Sequence, residues 1–185
     1  MSGPAPLLTE RLWLNAIRRD DAARLALLCN NWNVARWLAR VPFPYGLEDG
    51  IAFCNLIEET APAGQDMVWA IRRREETNLL GLISVTNLHG EEPELGYWLG
   101  QPYWGQRLMS EAAKAVVQVF FNTTAHPRLY SGAFEGNDAS LRIQTALGFT
   151  KTGLGRRWCM ARGEDIAHHF SVLERAVWDA HNPPN

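Results

Sequence analysis

With 185 residues the chain is long enough to bury one hydrophobic core, and we expect a single domain over residues 1–185. Its 18 Lys and Arg against 20 Asp and Glu leave a formal net charge of -2, which excludes the strongly basic balance of nucleic-acid-binding proteins. Without a signal-peptide pattern or an apolar run of roughly 18 residues, a cytoplasmic protein outside the membrane is expected. The three cysteines, Cys29, Cys54 and Cys159, are too scattered to predict a disulfide framework or a metal site.

The N-terminal part of the chain predicts one strand followed by helices. Apolar residues alternate over residues 8–17, as in a strand, and Asp20 and Asp21 are suited to capping a helix that ends near residue 28. Two further helices are expected over residues 33–39 and 47–59. Prolines separate and end these helices.

The rest of the chain predicts a sheet interrupted by two helices. Strands are expected over residues 67–72, 78–88 and 94–99, a long helix over 105–121, a strand over 128–134, a helix over 137–147 and strands over 149–160 and 166–173. The short polar turns favour antiparallel neighbours, while the strand-helix-strand unit around the long helix favours one parallel pair. This order indicates an α+β domain with a mixed, mostly antiparallel sheet. Residues 180–185 are expected to be a frayed tail.

The entrance to the long helix is the first candidate binding site. Leu108, Ala112, Val116 and Phe120 recur every four residues and predict a helix packed on a sheet, with Gly105 at its start. Unpaired amides and the helix dipole at such a start attract phosphate. The segment matches neither GxxxxGK(S/T) nor GxGxxG, and on these residues alone an ordinary helix start is the simpler interpretation.

Two longer stretches favour a binding site over an ordinary helix start. ELGYWLGQPYWGQRLMSEA (94–112) together with NDASLRIQTALGF (137–149) resembles the GNAT superfamily of acyl-CoA-dependent N-acetyltransferases. More narrowly, the chain is similar to the branch that acetylates the N-terminal residue of ribosomal proteins. The order of LLTERLWLNAIRRDDAARL (7–25), VARWLARVPFPYGLEDGIAF (34–53) and LLGLISVTNL (79–88) extends this resemblance over nearly the whole chain.

The resemblance implies a GNAT fold with splayed central strands that bind acetyl-CoA as co-substrate. The pantetheine arm would bond along Tyr97, Trp98 and Leu99, and Asn137 would reach the same arm from the later helix. The pyrophosphate would lie on the amides of the loop and helix start, which are those of Gly105, Gln106, Arg107, Leu108, Met109 and Ser110. Arg107 departs from the family motif, which has glycine or alanine there, so its side chain either crowds the phosphates or pairs with them.

Acetyl transfer to an amine requires deprotonation of the amine, stabilisation of an oxyanion and protonation of the departing thiolate. Glu94, at the start of a strand expected to line the cleft, is the candidate base, although a solvent-facing glutamate explains its position equally well. Many family members place a tyrosine acid where this chain has Gln144, and Ser140 resembles the serine of the ribosomal-protein branch. No covalent intermediate is required.

The acceptor is left open between a protein N-terminus, as in the ribosomal-protein branch, and a small amine such as a polyamine, an amino acid or an aminoglycoside. An acidic wall of Glu48, Asp49, Glu58 and Glu59 would favour polycations, but the same residues would also suit a solvated helix face. A non-catalytic acyl-CoA-binding or interaction module is the alternative class, favoured by Arg107 and Gln144. The branch also makes a homodimer an expectation.

Overall fold

The computed structural model describes residues 3–183, and within that range eight strands form one mixed sheet flanked by six α-helices. The strands are β1 (Leu7–Leu8), β2 (Leu12–Asn15), β3 (Met67–Arg73), β4 (Gly81–Thr86), β5 (Glu94–Leu99), β6 (Arg128–Phe134), β7 (Thr150–Cys159) and β8 (Glu164–Glu174). The helices are α1 (Ala22–Cys29), α2 (Trp32–Ala35), α3 (Leu47–Thr60), α4 (Leu108–Thr123), α5 (Asp138–Leu147) and α6 (Arg175–His181). The α+β class predicted from the sequence is confirmed.

The sheet has the strand order β1-β2-β3-β4-β5-β6-β8-β7. Neighbours from β1 to β5 are antiparallel, as are β6, β8 and β7, which confirms the predicted pairing. The parallel pair that the sequence predicted around the long helix joins β5 to β6, with a single register pair, Glu94 with Tyr130. The sheet is therefore almost divided at this point.

Apolar side chains cover both faces of the sheet. One buried cluster joins α4 to the strands through residues such as Leu95, Val116 and Phe120, none of which is more than 1% exposed. A second cluster joins α1 and α3 to the opposite face, around Leu25 and Leu79. The two clusters follow from the alternation of side chains along each strand, which sends successive apolar residues to opposite faces.

Several predicted elements differ in their bounds. The strand expected over 8–17 is broken into β1 and β2 by a tight turn, in which the Thr9 amide donates to the Leu12 carbonyl over 3.0 Å. Helix α2 is one turn, shorter than the predicted 33–39. Within the tail expected to fray over 180–185, residues 180 and 181 are helical, because α6 extends to His181, and residues 184 and 185 lie outside the described range.

Asp21 was predicted to cap the first helix, but it has another role. Its carboxylate takes two hydrogen bonds from the Arg72 guanidinium, at 2.9 and 2.7 Å, and one from the Arg18 amide at 2.8 Å. The Arg72 side chain is 1% exposed and that of Asp21 is 8% exposed. The Arg72–Asp21 pair therefore ties α1 to the sheet from a position inside the protein.

Candidate active site

The central strands separate directly after their one register pair. Hydrogen bonds run from the Gly100 amide to the carbonyl of Leu80, the residue before β4, and from the Ser131 hydroxyl to the Leu95 carbonyl. Because peptide groups alternate in direction along a strand, the even-numbered residues of β5 pair with β4, while the odd-numbered ones face β6. The peptide groups of Tyr97 and Leu99 therefore point into the gap, whereas that of Trp98 points toward β4. Of the three residues predicted to bind pantetheine through the main chain, the geometry favours Tyr97 and Leu99.

A continuous cleft of about 1180 Å³ passes through this gap. We call its two ends the loop half and the α3 half. The loop half is lined by residues of the segments 103–110 and 136–143. The α3 half is lined by residues of the segment 37–45, by one side of α3, and by Glu94, Arg157, Met160 and His168.

The loop half has the backbone of an anion-binding turn. Gly105 has a φ of +74°, and Arg107, the residue before α4, has a φ of +59° and a ψ of 14°. A Cβ at Gly105 would meet no atom within 4 Å, so the backbone conformation, and not a close neighbour, is what favours glycine there. The helix begins at Leu108 with no side-chain cap, which leaves its first amides for a ligand.

The other predicted loop residues have different environments. Leu108 and Met109 are 1% and 7% exposed and pack in the core, so they offer a ligand only their main chain. Gln106 is not on the cleft wall; its side-chain oxygen accepts from Arg73 at 2.7 Å, and its carbonyl accepts from Arg11 at 3.0 Å. These bonds use the side chain and the carbonyl of Gln106, so the predicted contact of its amide with the pyrophosphate stays a prediction. Arg107 and Ser110 line the cleft.

A chain of hydrogen bonds surrounds Ser140 on α5. Its hydroxyl lies 3.0 Å from the Tyr97 hydroxyl and accepts from the Gln144 amide nitrogen at 3.3 Å. Gln144 is 2% exposed, also donates to the Gly132 carbonyl at 3.0 Å, and its oxygen lies 2.7 Å from the Ser171 hydroxyl. Burial raises the pKa of Tyr97 to about 12, so its phenol stays protonated. Asn137 lines the cleft and caps α5 through the Ser140 amide, as the sequence predicted for the helix start.

Glu94 lies in the α3 half and forms a bidentate ion pair with Arg157. One of its two hydrogen bonds, from Arg157 Nη2 to Glu94 Oε2, is 2.8 Å long. Burial raises the pKa of the Glu94 carboxyl, but the hydrogen bond and charge of Arg157 outweigh this effect and hold the pKa below its usual value. Arg157 had not been identified from the sequence, since it stands 63 residues from its partner.

His168 completes this cluster. Successive residues of β8 face opposite sides of the sheet, and His168 is 4% exposed, whereas His169 is partly exposed. Burial, followed by the charge of Arg157, lowers the pKa of His168 to about 4, so the ring is neutral at physiological pH. Its Nδ1 is buried without a hydrogen-bond partner among the described residues. Within residues 3–183, no group of three or more His, Cys, Asp or Glu side chains is arranged to hold a metal ion.

The acidic wall considered from the sequence does not form. Of Glu48, Asp49, Glu58 and Glu59, only Asp49 lines the cleft, and Glu58 pairs with Arg19 at 2.7 Å outside it. Two aromatic residues of the segment 37–45, Trp37 and Tyr45, line the α3 half. In the part of the chain that the structure covers, no helix is both long and apolar enough to cross a bilayer.

The sheet split at β5 and β6, with a helix start beside the split, is shared with a known class of acetyltransferases. The family described as "Acetyltransferase (GNAT) domain" matches residues 11–150, and the chain belongs to this family. The [Ribosomal protein uS5]-alanine N-acetyltransferase of Escherichia coli is 24% identical over 182 residues, which cover 93% of this chain and 92% of that protein.

Solved structures show the same fold. RimJ of Mycobacterium smegmatis, in complex with CoA-disulfide, superimposes with a TM-score of 0.80 at 18% identity, over 98% of this chain and 89% of that one. The microcin C7 self-immunity acetyltransferase MccE, in complex with acetyl-CoA and AMP, gives a TM-score of 0.78 at 18% identity, over 90% of this chain and 93% of that one. The GNAT fold expected from the sequence is confirmed, and the chain is a GNAT-family acetyltransferase.

Proposed function

We propose that this protein transfers an acetyl group from acetyl-CoA to a primary amine by direct attack. The observation that carries the proposal is the gap beyond Glu94 and Tyr130, which the peptide groups of Tyr97 and Leu99 face beside an uncapped helix start. The Leu99 carbonyl already accepts from the Trp104 indole at 2.8 Å, so a ligand there would bond to the Leu99 amide and to the peptide group of Tyr97. Such a cleft fits an extended amide-containing arm that ends in a diphosphate. Acetyl-CoA supplies the acetyl thioester: the carbon–sulfur bond breaks, a carbon–nitrogen bond forms, and the proton lost by the amine balances the one gained by the thiolate.

Ser140 is proposed to protonate the departing thiolate. The Gln144 amide nitrogen can only donate, so the Ser140 oxygen accepts from it, and the serine proton is left to point elsewhere. The Tyr97 phenol can also donate to the Ser140 hydroxyl oxygen, 3.0 Å away, and in that arrangement the serine proton is free for the cleft. Gln144, at the position where many family members have a tyrosine acid, therefore orients the Ser140 hydroxyl that is proposed to protonate the thiolate.

Glu94 is proposed to accept the amine proton, either directly or through water. Because Arg157 lowers its pKa, the carboxylate is ionised at physiological pH but is a weaker base than an isolated glutamate. The main chain of Leu99 or its neighbours would stabilise the oxyanion. Burial raises the pKa of Cys29 to about 12 and that of Cys54 to about 11, so neither thiol is suited to attack the acetyl group.

The acceptor is proposed to be the N-terminal amine of a protein, in keeping with the name of the Escherichia coli relative. A small amine, such as a polyamine, an amino acid or an aminoglycoside, is the second acceptor class. A non-catalytic acyl-CoA-binding module is the alternative function. A cytoplasmic location and a homodimer remain predictions.

Two measurements test this function. Thermal unfolding with and without acetyl-CoA, and with CoA, is expected to show stabilisation by both ligands. Thiol release is then followed across a panel of peptides and small amines, with Ser140→Ala as the matched inactive variant and Thr145→Ala, on the exposed side of the same helix, as the control. No stabilisation by either ligand would contradict the proposal. Binding without thiol release from any amine would favour the non-catalytic module.

A further inference from the structure

The α3 half of the cleft has the lining of a site for an apolar ligand. Six of its residues, Trp37, Tyr45, Phe53, Leu56, Ile57 and Met160, present aromatic or aliphatic side chains to the space beyond Glu94. Two of them remain open to water, since Leu56 is 53% exposed and Met160 is 47% exposed. Apolar surface that lines a concave site becomes more stable when a ligand removes it from water.

The carboxylates of the α3 half are already engaged. The Glu94 carboxylate is paired with Arg157, the Asp49 carboxylate accepts from the Gly46 amide at 2.7 Å, and that of Asp66 accepts from the Asn87 amide at 2.8 Å. These three carboxylates lie with two guanidiniums, those of Arg40 and Arg157, on the same wall. The charge is close to balanced, so the wall lacks the strong negative field that a polycation would need.

The α3 half is also continuous with the gap at Tyr97. An acceptor can therefore place its amine at the acetyl carbon in the gap while another group of the same molecule lies in the α3 half. We propose that the acceptor carries a bulky apolar or aromatic group beside its amine, and that the α3 half binds this group. The inference rests on the proposed function. Two kinds of acceptor carry such a group beside an amine: an arylalkylamine, and a peptide whose first or second residue is large and apolar.

The first experiment compares acceptors on the full-length protein. Rates of thiol release from acetyl-CoA are measured with 2-phenylethylamine, ethanolamine and spermidine, and with the peptides Ala-Phe-Gly-Gly and Ala-Ser-Gly-Gly. We expect kcat/KM to be about tenfold or more higher for each apolar acceptor than for its polar counterpart, because a buried aromatic ring contributes that much. Preference within the amines or within the peptides then identifies the source of the apolar group.

The second experiment places the binding surface on α3 and at Met160, the residue that follows β7. Leu56→Ser and Met160→Ser are compared with Ile51→Ser on α3 and Trp158→Ser on β7, which change residues 45% and 52% exposed that lie outside the cleft. All four side chains are open to water, so the substitutions leave the fold intact. We expect kcat/KM for the apolar acceptors to fall about five- to twentyfold in the first two variants only, with ethanolamine unaffected.

The outcomes separate the two proposals. Acetylation of spermidine or ethanolamine at a rate equal to or above that of the apolar acceptors would overturn the inference and leave the acetyltransferase function standing. Equal effects of the cleft variants and their controls would overturn the inference as well. If none of these acceptors releases thiol although acetyl-CoA stabilises the protein, the proposed function is wrong and the inference falls with it.

Discussion

Glu94 on β5 and Arg157 on β7 form a bidentate ion pair at the place where the central strands begin to separate. Two other strands of the sheet, β6 and β8, stand between their elements in the strand order. Both side chains are 30% exposed, so water screens the pair incompletely. The pair connects the candidate base to the outermost hairpin of the protein.

Replacing Arg157 by Ala is expected to raise the pKa of Glu94, because burial then acts without the opposing hydrogen bond and charge. The acid limb of the kcat/KM profile moves to higher pH if Glu94 takes the amine proton. Arg156→Ala is the control, since that side chain is exposed and donates to the Asp165 carbonyl. An unchanged acid limb in Arg157→Ala would exclude Glu94 as the base.

His168 is expected to make the protein sensitive to acid. Its pKa is about 4 in the folded protein and 6.5 as its ordinary value. The stability that depends on the neutral ring is therefore complete above pH 6.5 and is lost as the pH falls toward 4. The loss of free energy of unfolding at pH 4 is about 3 kcal/mol. Urea unfolding at pH 7 and pH 4.5 is expected to show a smaller difference for His168→Gln than for the native protein. His169→Gln, which changes the partly exposed neighbour, is expected to keep the native pH dependence.

Ser140→Ala is expected to lower kcat by about 100-fold, the usual contribution of a general acid, with the Kd for acetyl-CoA within about twofold. The defect is expected to shrink with an acetyl thioester of a more acidic thiol, because a better leaving group needs less protonation. A loss of acetyl-CoA binding equal to the loss of kcat would show that Ser140 only contacts the ligand.

Gln144→Met keeps most of the side-chain volume and removes the donor to Ser140. We expect kcat to fall about tenfold and the free energy of unfolding to fall by about 1–3 kcal/mol, because partners of Gln144 at Gly132 and Ser171 lose their hydrogen bonds. The dependence on the leaving thiol separates positioning of Ser140 from mere loss of stability. If the kcat defect is the same with every thioester, Gln144 has a structural role alone.

Arg107→Gly separates backbone strain from phosphate contact. Arg107 has a left-handed conformation, so glycine is expected to raise the free energy of unfolding by about 0.5–1 kcal/mol without ligand. Loss of the guanidinium is expected to weaken acetyl-CoA binding about fivefold or more, and Arg107→Ala shows the same loss without the backbone relief. Tighter binding by the glycine variant, measured by calorimetry, would instead show that the side chain crowds the cofactor.

Asp21→Asn is expected to destabilise the protein by about 3–5 kcal/mol, because the Arg72 guanidinium, 1% exposed, loses its only ion-pair partner among the described residues. Asp20→Asn changes the exposed neighbour and is expected to stay within about 0.5 kcal/mol. Chemical denaturation measures both. Equal effects of the two substitutions would show that the buried pair contributes little.

Local features of the chain were predictable. The stripe through Leu108, Val116 and Phe120 predicted α4. The helix predicted over 137–147 agrees with α5, which the structure shows with an N-cap bond at Asn137 and a φ of +95° at Gly148. The start of α4 was placed three residues early, because the left-handed Arg107 delays the helix to Leu108. Helix α6 was missed because seven residues carry too little periodicity.

The candidate site was predicted in part. Glu94, Tyr97, Ser140 and Asn137 all line the cleft. Gln106 does not, since Arg11 and Arg73 bind it from the other side of the loop. Arg157 was missed, as no signal in the segment around it points to Glu94.

By itself the sequence determined the family, the strand and helix pattern, and the glycine turn at Gly105 that leads into α4, because periodicity and capping act between residues a few positions apart. The tertiary structure alone decided that Arg157 pairs with Glu94 and that Gln144 holds Ser140 beside Tyr97. These contacts depend on the strand order β6-β8-β7 and on where β5 separates from β6. Alternation along a strand gives each side chain a face of the sheet, but only the packed sheet determines which distant residue it meets there.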